Sequence, residues 1–283
     1  MAMRERSYLS LSAHGFHRIA YTEWGPADAA RVAVCVHGLT RNSRDFDPFA
    51  QALEDTYRVA CPDLPGRGKS HWFTVHADYR PPAYLGDLSA LLARLDVSEI
   101  DWVGTSLGGI LGMTLAAQPN TPIRKLVVND VGAFIEKAAL ARIGDYVGKD
   151  PTFRSLEALE AYLREVHAPF GPLTDAQWRH LAIHGARRDD AAEVWRLHYD
   201  PGIAVPFRDD FSKDIDLWPV WDAIRCPVLI VRGAESDILL HEIAEEMLTR
   251  GPQAELLELP GIGHAPALMD PAQIAVVRDW LLA

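Results

Sequence analysis

The sequence is poor in cysteine, in clustered basic residues and in long apolar runs. Its 283 residues include three cysteines without CxxC spacing, which excludes a small scaffold held together by disulfides. Asp and Glu number 39 against 28 Lys and Arg, giving a formal net charge of −11. Because the basic residues gather into no stripe, the electrostatic footprint of a phosphate-backbone binder is missing, and we expect no nucleic-acid partner.

The missing apolar runs also argue against a membrane protein. No segment approaches the roughly 20 apolar residues that span a bilayer, and the charged start Met-Ala-Met-Arg-Glu-Arg lacks the apolar core of a signal peptide. These absences predict a soluble cytoplasmic protein with no membrane partner. Cys35, Cys61 and Cys226 lie in or beside strand-like runs, and we interpret them as small buried hydrophobes.

What the chain does contain is an alternation of strand-like and helix-like segments. Short runs, several of them apolar on both faces, predict strands at 17–23, 31–36, 57–61, 100–103, 125–131, 227–232 and 254–259. Helical patterns lie between them at 45–53, 82–95, 107–118, 239–249 and 271–282. This alternation is typical of a mostly parallel sheet covered by helices. At one edge, the short polar connection His14-Gly15 predicts an antiparallel hairpin between the two strands that it joins.

One long segment interrupts the alternation. From about residue 134 to 216 the pattern predicts helices at 136–146, 155–166, 175–183 and 191–197, separated by Pro and Gly. We interpret residues 134–216 as a helical cap domain and residues 1–133 with 217–283 as the core domain. The aromatic residues of this cap suggest a substrate with an apolar acyl or aryl group.

A glycine-flanked serine follows one of the central strands. Gly104-Thr-Ser-Leu-Gly108 has an apolar strand before it and a helix-like run after it, which is the context of a G-x-S-x-G nucleophile elbow. Glycine at both flanks is expected where a side chain would collide with the neighbouring strand or helix. Ser106 is therefore the candidate nucleophile.

A serine nucleophile needs a base and a carboxylate to orient that base. His264 follows the last predicted strand in a loop with Gly261 and Gly263, so it is the candidate base. Two aspartates compete for the role of orienting acid, with Glu235 a distant third. Asp237 is favoured, because it follows the next-to-last strand and yields the chain order Ser, Asp, His. Asp130 also ends a strand; its alternative role would be a hydrogen bond at the entrance of the cap.

The loop after the early strand 31–36 supplies further candidates. The backbone N–H groups of Leu39 and Leu107 are expected to form the oxyanion hole, with His37 bracing the turn. Arg41, Asn42 and Asp130 are possible substrate-binding residues. In this loop, a guanidinium or amide would bind a carboxylate or polar acyl group. The alternative for this loop is a solvated surface with charge pairing to Asp45 or Asp47.

In this order and spacing, the chain resembles α/β-hydrolase-fold enzymes from about Phe16 to the C-terminus. The motifs that carry the resemblance are His37-Gly38, Asp63-Leu-Pro-Gly-Arg-Gly-Lys-Ser70, the Ser106 elbow, Gly233-Ala-Glu-Ser-Asp237 and Gly263-His264-Ala-Pro266. The resemblance implies an eight-stranded sheet with a helical lid inserted after the sixth strand, Ser106 as nucleophile, His264 as base and Asp237 as its partner.

Together these features predict a serine hydrolase that cleaves a small carboxylic ester or lactone, with no metal or organic cofactor. A serine at position 106 disfavours the epoxide hydrolases and dehalogenases of this fold, which use aspartate there. Acyl transfer, cofactor-free perhydrolysis and carbon–carbon bond hydrolysis stay open as alternatives, although the loop after Gly38 departs from the carbon–carbon hydrolase pattern. A non-catalytic ligand-binding protein of the same fold is the alternative from another class.

Overall fold

An eight-stranded, mostly parallel sheet forms the centre of the molecule, in a computed structural model that describes residues 2–206 and 213–283. Its strands, in chain order, are β1 Arg4–Ser12, β2 Gly15–Trp24, β3 Arg31–Val36, β4 Tyr57–Pro62, β5 Ile100–Thr105, β6 Ile123–Asn129, β12 Val228–Gly233 and β13 Ala254–Leu259. In space they follow the order β1-β2-β4-β3-β5-β6-β12-β13. The predicted fold and edge hairpin are confirmed, since β1 and β2 pair antiparallel and the strands from β4 to β13 pair parallel.

The apolar strands are buried on both faces because helices cover both sides of the sheet. Neighbouring residues on β5 enter different hydrophobic clusters, Trp102 on one face and Val103 on the other, as the strand period of two requires. The clusters are completed by helices α1 Asp47–Leu53, α2 Pro81–Leu95, α3 Leu107–Ala116, α8 His241–Thr249 and α9 Pro271–Leu282. Each predicted core helix is present, with the predicted ends at 271–282 and with an end shifted by one or two residues in the other four.

The part of residues 134–216 that the structure describes is less helical than its sequence predicts. Its helices are α4 Lys137–Gly144, α5 Leu156–Val166 and α6 Asp175–Gly185, and α7 Trp218–Ala223 follows shortly after residue 216. The fourth predicted helix is wrong, because Val194–Leu197 forms strand β10, which pairs with β8 Thr152–Phe153 and β9 Ala186–Asp189. Two further short strands, β7 Phe134–Ile135 and β11 Ile215–Asp216, pair at the ends of the segment.

The helical pattern was misread at β10 because strand pairing outweighs weak local propensity in a short segment. The treatment of residues 134–216 as a separate cap domain stays a prediction, and residues 207–212 of that range lie outside the described part of the chain. None of the helices within the described ranges combines the length and apolar character that crossing a bilayer requires. All three cysteines are free thiols, with Cys35 and Cys61 buried in strands and Cys226 half-buried.

Candidate active site

Ser106 sits in a strained turn between β5 and α3. Its backbone φ is 52°, a left-handed conformation that costs free energy for a residue with a side chain and is concentrated at functional sites. The predicted elbow therefore forms, and it exposes the hydroxyl at the end of the sheet where the parallel strands terminate.

The two flanking glycines are required by space. A Cβ at Gly104 would lie 2.2 Å from the Gly108 carbonyl oxygen, and a Cβ at Gly108 would lie 2.0 Å from the Val36 carbonyl oxygen. Both distances are far below van der Waals contact, so only glycine permits this approach of α3 to β3 and β5. The turn is further held by the Ser106 N–H, which donates to the Asn129 carbonyl at 2.9 Å.

His264 reaches Ser106 from the loop after β13. Its Nε2 lies 3.0 Å from Ser106 Oγ, within the range in which a base can accept the hydroxyl proton. This loop is fastened to the loop after β12, because the Glu235 N–H donates to the Ile262 carbonyl at 2.8 Å. The structure thus brings together the predicted nucleophile and base.

The carboxylate beside His264 belongs to Asp130, which corrects the prediction of Asp237. Asp130 Oδ2 accepts from His264 Nδ1 at 2.8 Å and from Ser236 Oγ at 2.7 Å, while its Oδ1 accepts from the Gly233 N–H at 2.8 Å. Its side chain is 0% exposed. With three donors satisfied, the carboxylate is held in one orientation against the imidazole.

Asp237 faces α4 instead. Its carboxylate forms a two-point ion pair with Arg142 of α4, including an Nη2–Oδ1 hydrogen bond of 2.8 Å, and half of its side chain is exposed. The sequence order could not separate the two aspartates, because β6 and β12 are parallel neighbours whose carboxyl ends meet at the same edge. Of the loop residues after β12, it is Ser236 that contacts the buried carboxylate, and sequence reasoning missed that role.

The predicted oxyanion-hole residues lie beside the serine. Leu39 and Leu107 both line the cavity that contains Ser106 and His264, and Leu107 is the first residue of α3, where helix N–H groups are free of helical partners. Their function as oxyanion donors stays a prediction.

His37 braces the adjacent turn, as expected. Its Nε2 accepts from the Leu64 N–H at 2.9 Å, and its Nδ1 donates to the Gly38 carbonyl at 2.7 Å. Burial lowers the pKa of His37 to about 3, since charging a buried imidazole loses its hydration. The ring is therefore neutral near pH 7 and acts as a fixed link between two loops.

The two possible substrate-binding residues of the loop after β3, Arg41 and Asn42, differ in their relation to the cavity. Arg41 lines the cavity, and its Nε and Nη2 donate to Asp45 at 2.7 and 2.8 Å. Asn42 is not among the residues that line this cavity: its side chain caps the 3₁₀ turn Ser43–Phe46 and donates to the His184 carbonyl at 2.9 Å. Its amide joins the loop to the segment after β6, and substrate binding by Asn42 stays a prediction.

The cavity above Ser106 is mostly apolar. The segment after β6 supplies much of its wall, including Leu140, Ile143, Tyr146, Phe170 and Leu181. Such a lining suits an apolar acyl group more than a charged one.

His167 is a cavity residue that sequence reasoning missed. It lines the cavity, stacks on Phe170 with ring centroids 4.5 Å apart, and has its pKa lowered well below the usual histidine range by burial and then by the nearby charges of Arg41 and His264. Nothing in its local sequence distinguishes it from the other histidines of the same segment. Of the described residues, only Asp47, His180 and His184 group three possible metal ligands, and none of them lines this cavity.

The sheet order, the elbow and the histidine after the last strand together define an α/β hydrolase. The sequence signature of the alpha/beta hydrolase family matches residues 33–277, and the chain belongs to that family. It is an enzyme that hydrolyses ester bonds, as its curated relatives indicate.

Two relatives illustrate the similarity in sequence. The chain is 47% identical over 278 residues to the 3-hydroxybutyrate-oligomer hydrolase of Cupriavidus necator, covering 95% of this chain and 94% of that protein. It is 27% identical over 232 residues to the 2-(acetamidomethylene)succinate hydrolase of Mesorhizobium japonicum, covering 81% and 79%.

A solved structure shows the same fold over the whole chain. The crystal structure of an alpha/beta hydrolase from Novosphingobium aromaticivorans has a TM-score of 0.86 and 36% identity, covering 100% of this chain and 99% of that one.

Proposed function

We propose that this enzyme cleaves esters through an acyl-enzyme on Ser106, with His264 as base and Asp130 as orienting acid. The observation that carries the proposal is the continuous hydrogen-bond chain from Ser106 Oγ to His264 Nε2 at 3.0 Å and from His264 Nδ1 to Asp130 Oδ2 at 2.8 Å. This is the arrangement in which a neutral imidazole takes the serine proton while a buried carboxylate stabilises the resulting imidazolium.

In the first half of the reaction, Ser106 Oγ attacks the ester carbonyl carbon and its proton moves to His264 Nε2. The carbonyl oxygen becomes an oxyanion that the Leu39 and Leu107 N–H groups stabilise, at the positive end of α3. The tetrahedral intermediate then collapses, the bond to the alcohol oxygen breaks, and His264 returns the proton to the leaving alcohol.

In the second half, His264 removes a proton from water, whose oxygen attacks the acyl carbon. The second tetrahedral intermediate expels Ser106 Oγ, which recovers its proton from His264, and the free acid leaves. Each proton that His264 accepts is returned within the same turnover, so the reaction needs no co-reactant besides water.

For the substrate, we propose short oligomeric esters of a hydroxy acid, such as oligomers of 3-hydroxybutyrate. Support comes from the 47% identity to the Cupriavidus necator enzyme over nearly the full length of both chains. The apolar cavity suits short alkyl side groups.

Arg41 is the proposed contact for the polar end of such a substrate. It lines the cavity as well as a side pocket formed with Tyr146, Tyr162, His167 and Tyr199. A guanidinium in that position can donate to a terminal carboxylate or hydroxyl while its Nε edge remains on Asp45.

The test begins with the purified chain and the dimer and trimer of 3-hydroxybutyrate, with release of the monomer acid as the readout. We expect hydrolysis and labelling of Ser106 by a fluorophosphonate, and loss of both in Ser106→Ala. If Ser106 neither labels nor turns over these oligomers or p-nitrophenyl acetate, the proposed mechanism is wrong. Addition of alcohols or peroxide measures how much acyl group is transferred to a nucleophile other than water.

A pair of loop variants tests the contact of Arg41. Arg41→Gln is expected to raise KM for the acid-ended trimer by about tenfold with little effect on an uncharged p-nitrophenyl ester. Arg44→Gln is the matched control, because Arg44 lies in the same loop but pairs with Asp47 outside the cavity. Equal effects on charged and uncharged esters would contradict the contact.

A further inference from the structure

Two histidines and an aspartate from distant segments meet beside the substrate cavity. His180 and His184 are four residues apart on α6 and so share one face of the helix, with ring centroids 4.5 Å apart. Asp47 begins α1 of the core. One ring nitrogen of each histidine and one oxygen of Asp47 all lie within 4.8 Å of one another, and His180 Nε2 is 3.6 Å from Asp47 Oδ2.

One oxygen of the Asp47 carboxylate makes no hydrogen bond within the described residues. Asp47 is only 6% exposed, and its Oδ1 is buried without a hydrogen-bond partner among the described residues. Its Oδ2 accepts from Arg44 Nε at 2.7 Å. A buried carboxylate oxygen that makes no hydrogen bond is costly and calls for a ligand.

We propose that His180, His184 and Asp47 form a binding site for a divalent transition metal such as Zn²⁺. Two imidazoles one helical turn apart with a carboxylate from another element form a ligand set that Zn²⁺ accepts, leaving a fourth position for water. Ca²⁺ and Mg²⁺ prefer an all-oxygen shell and are disfavoured by this set. Sequence reasoning found no metal site because Asp47 is remote from the histidines along the chain.

The ligands are near but not yet at coordination distance. Metal–ligand bonds of about 2.1 Å place tetrahedral ligand atoms about 3.4 Å apart. The ligand atoms lie within 4.8 Å of one another, so the widest pair must approach by at most about 1.4 Å, which side-chain rotation supplies. His180 Nε2 now contacts the Arg44 carbonyl oxygen at 2.8 Å. Binding through this nitrogen replaces that hydrogen bond and requires the tautomer with the ring proton on Nδ1.

The site joins two walls of the cavity. Leu181 of α6 lines the cavity, as do Arg41 and Phe46 of the loop that leads into Asp47. A bound metal therefore ties α6 to the loop that begins at the Leu39 amide. We expect it to slow ester turnover by restricting the movements that admit substrate and release product; this consequence rests on the proposed function, whereas the binding itself does not.

Binding is tested on the full chain by calorimetry with Zn²⁺ and by visible absorption with Co²⁺, after treatment with a chelator. We expect one metal per chain, a tetrahedral Co²⁺ spectrum, and affinity weakened by about tenfold or more in His180→Ala and His184→Gln. His241→Ala is the matched control, since His241 is an exposed histidine 3.2 Å from Glu245 at the same i, i+4 spacing, and it should bind normally.

Two further variants separate this site from the catalytic histidine. Ser106→Ala should bind Zn²⁺ as well as the natural protein does, even though it cannot turn over ester. If Zn²⁺ binding is abolished by His264→Ala but unaffected by His180→Ala and His184→Gln, the metal sits at the catalytic centre and the proposal is overturned. Absence of binding by the natural protein, with its thermal unfolding unchanged by Zn²⁺, Co²⁺ or Ni²⁺, would also overturn it.

Discussion

Asp130 and His264 are 134 residues apart in the chain, and Asp130 Oδ2 lies 2.8 Å from His264 Nδ1. The carboxylate is fully buried and accepts two further hydrogen bonds from the loop after β12. The orienting acid of the proposed triad thus comes from the end of β6, while the loop after β12, where an acid was expected, supplies the donors that hold it.

Exchange of each aspartate for asparagine measures which one orients His264. We expect Asp130→Asn to lower kcat by roughly 10³- to 10⁴-fold, because an amide cannot stabilise the imidazolium and favours the wrong tautomer. Asp237→Asn should keep kcat within about threefold, since it removes only a half-exposed ion pair. Steady-state kinetics on p-nitrophenyl acetate and the oligomers decide between them, and near-full activity of Asp130→Asn would refute the assignment.

Ser236 is expected to act as a positioning residue for Asp130. Ser236→Ala removes one of three donors to the carboxylate and should lower kcat by about tenfold with KM nearly unchanged, as the loss of one hydrogen bond to a charged group implies. Ser236→Thr, which keeps the hydroxyl, should recover much of the loss. Ser89→Ala is the control, because the Ser89 hydroxyl donates to the Leu85 carbonyl on the exposed face of α2. A uniform fall in stability without the kcat effect would argue for a purely structural role.

Substitution of the glycines that flank Ser106 should destabilise the fold far more than substitution of a surface glycine. Gly108→Ala forces a Cβ to within 2.0 Å of the Val36 carbonyl oxygen, and we expect the free energy of unfolding to fall by about 3 kcal/mol or more. Gly86→Ala is the matched control, because nothing lies within 4 Å of a Cβ at this position on the exposed face of α2, and it should raise stability by about 0.5–1 kcal/mol. Denaturant unfolding of both variants provides the measurement, and equal stabilities would contradict the packing argument.

His37 should make the fold sensitive to acid. Its pKa is about 3 in the folded protein against about 6.5 when unfolded. Between these pH values, the imidazole is protonated in the unfolded state but neutral in the folded state. Stability from this residue is complete above about pH 6.5 and is lost as the pH falls toward 3, amounting to about 2 kcal/mol lost at pH 5.

The variant His37→Gln isolates that contribution. It keeps an acceptor and a donor for the Leu64 and Gly38 backbone groups but does not titrate. We expect the natural protein to be the more stable of the two at pH 7.5, with an advantage that shrinks by about 2 kcal/mol at pH 5. Denaturant unfolding at both pH values gives the comparison, and a constant difference would show that His37 does not titrate on unfolding.

Local patterns were sufficient for the sheet, for most helices and for two members of the site. Ser106 is marked by glycines whose steric need is local, and His264 by its place just after a strand. Val194–Leu197 was misassigned because a four-residue strand owes its structure to its pairing partners. The hydrogen bond from Asn42 to the His184 carbonyl was not predicted, because this acceptor is contributed by a remote helix.

The residue pattern along the chain is enough to specify an α/β hydrolase and to single out Ser106 and His264 as the candidate nucleophile and base, because elbow sterics and the alternation of strands and helices are short-range properties. Which carboxylate orients the base depends on the contact between β6 and β12, whose parallel ends offer two aspartates at one edge of the sheet. Packing of the loop after β12 places Ser236 against the buried carboxylate and leaves Asp237 paired with Arg142 of α4. A choice of this kind rests on which side chain points inward after a turn, and that is set by contacts between segments far apart in the chain.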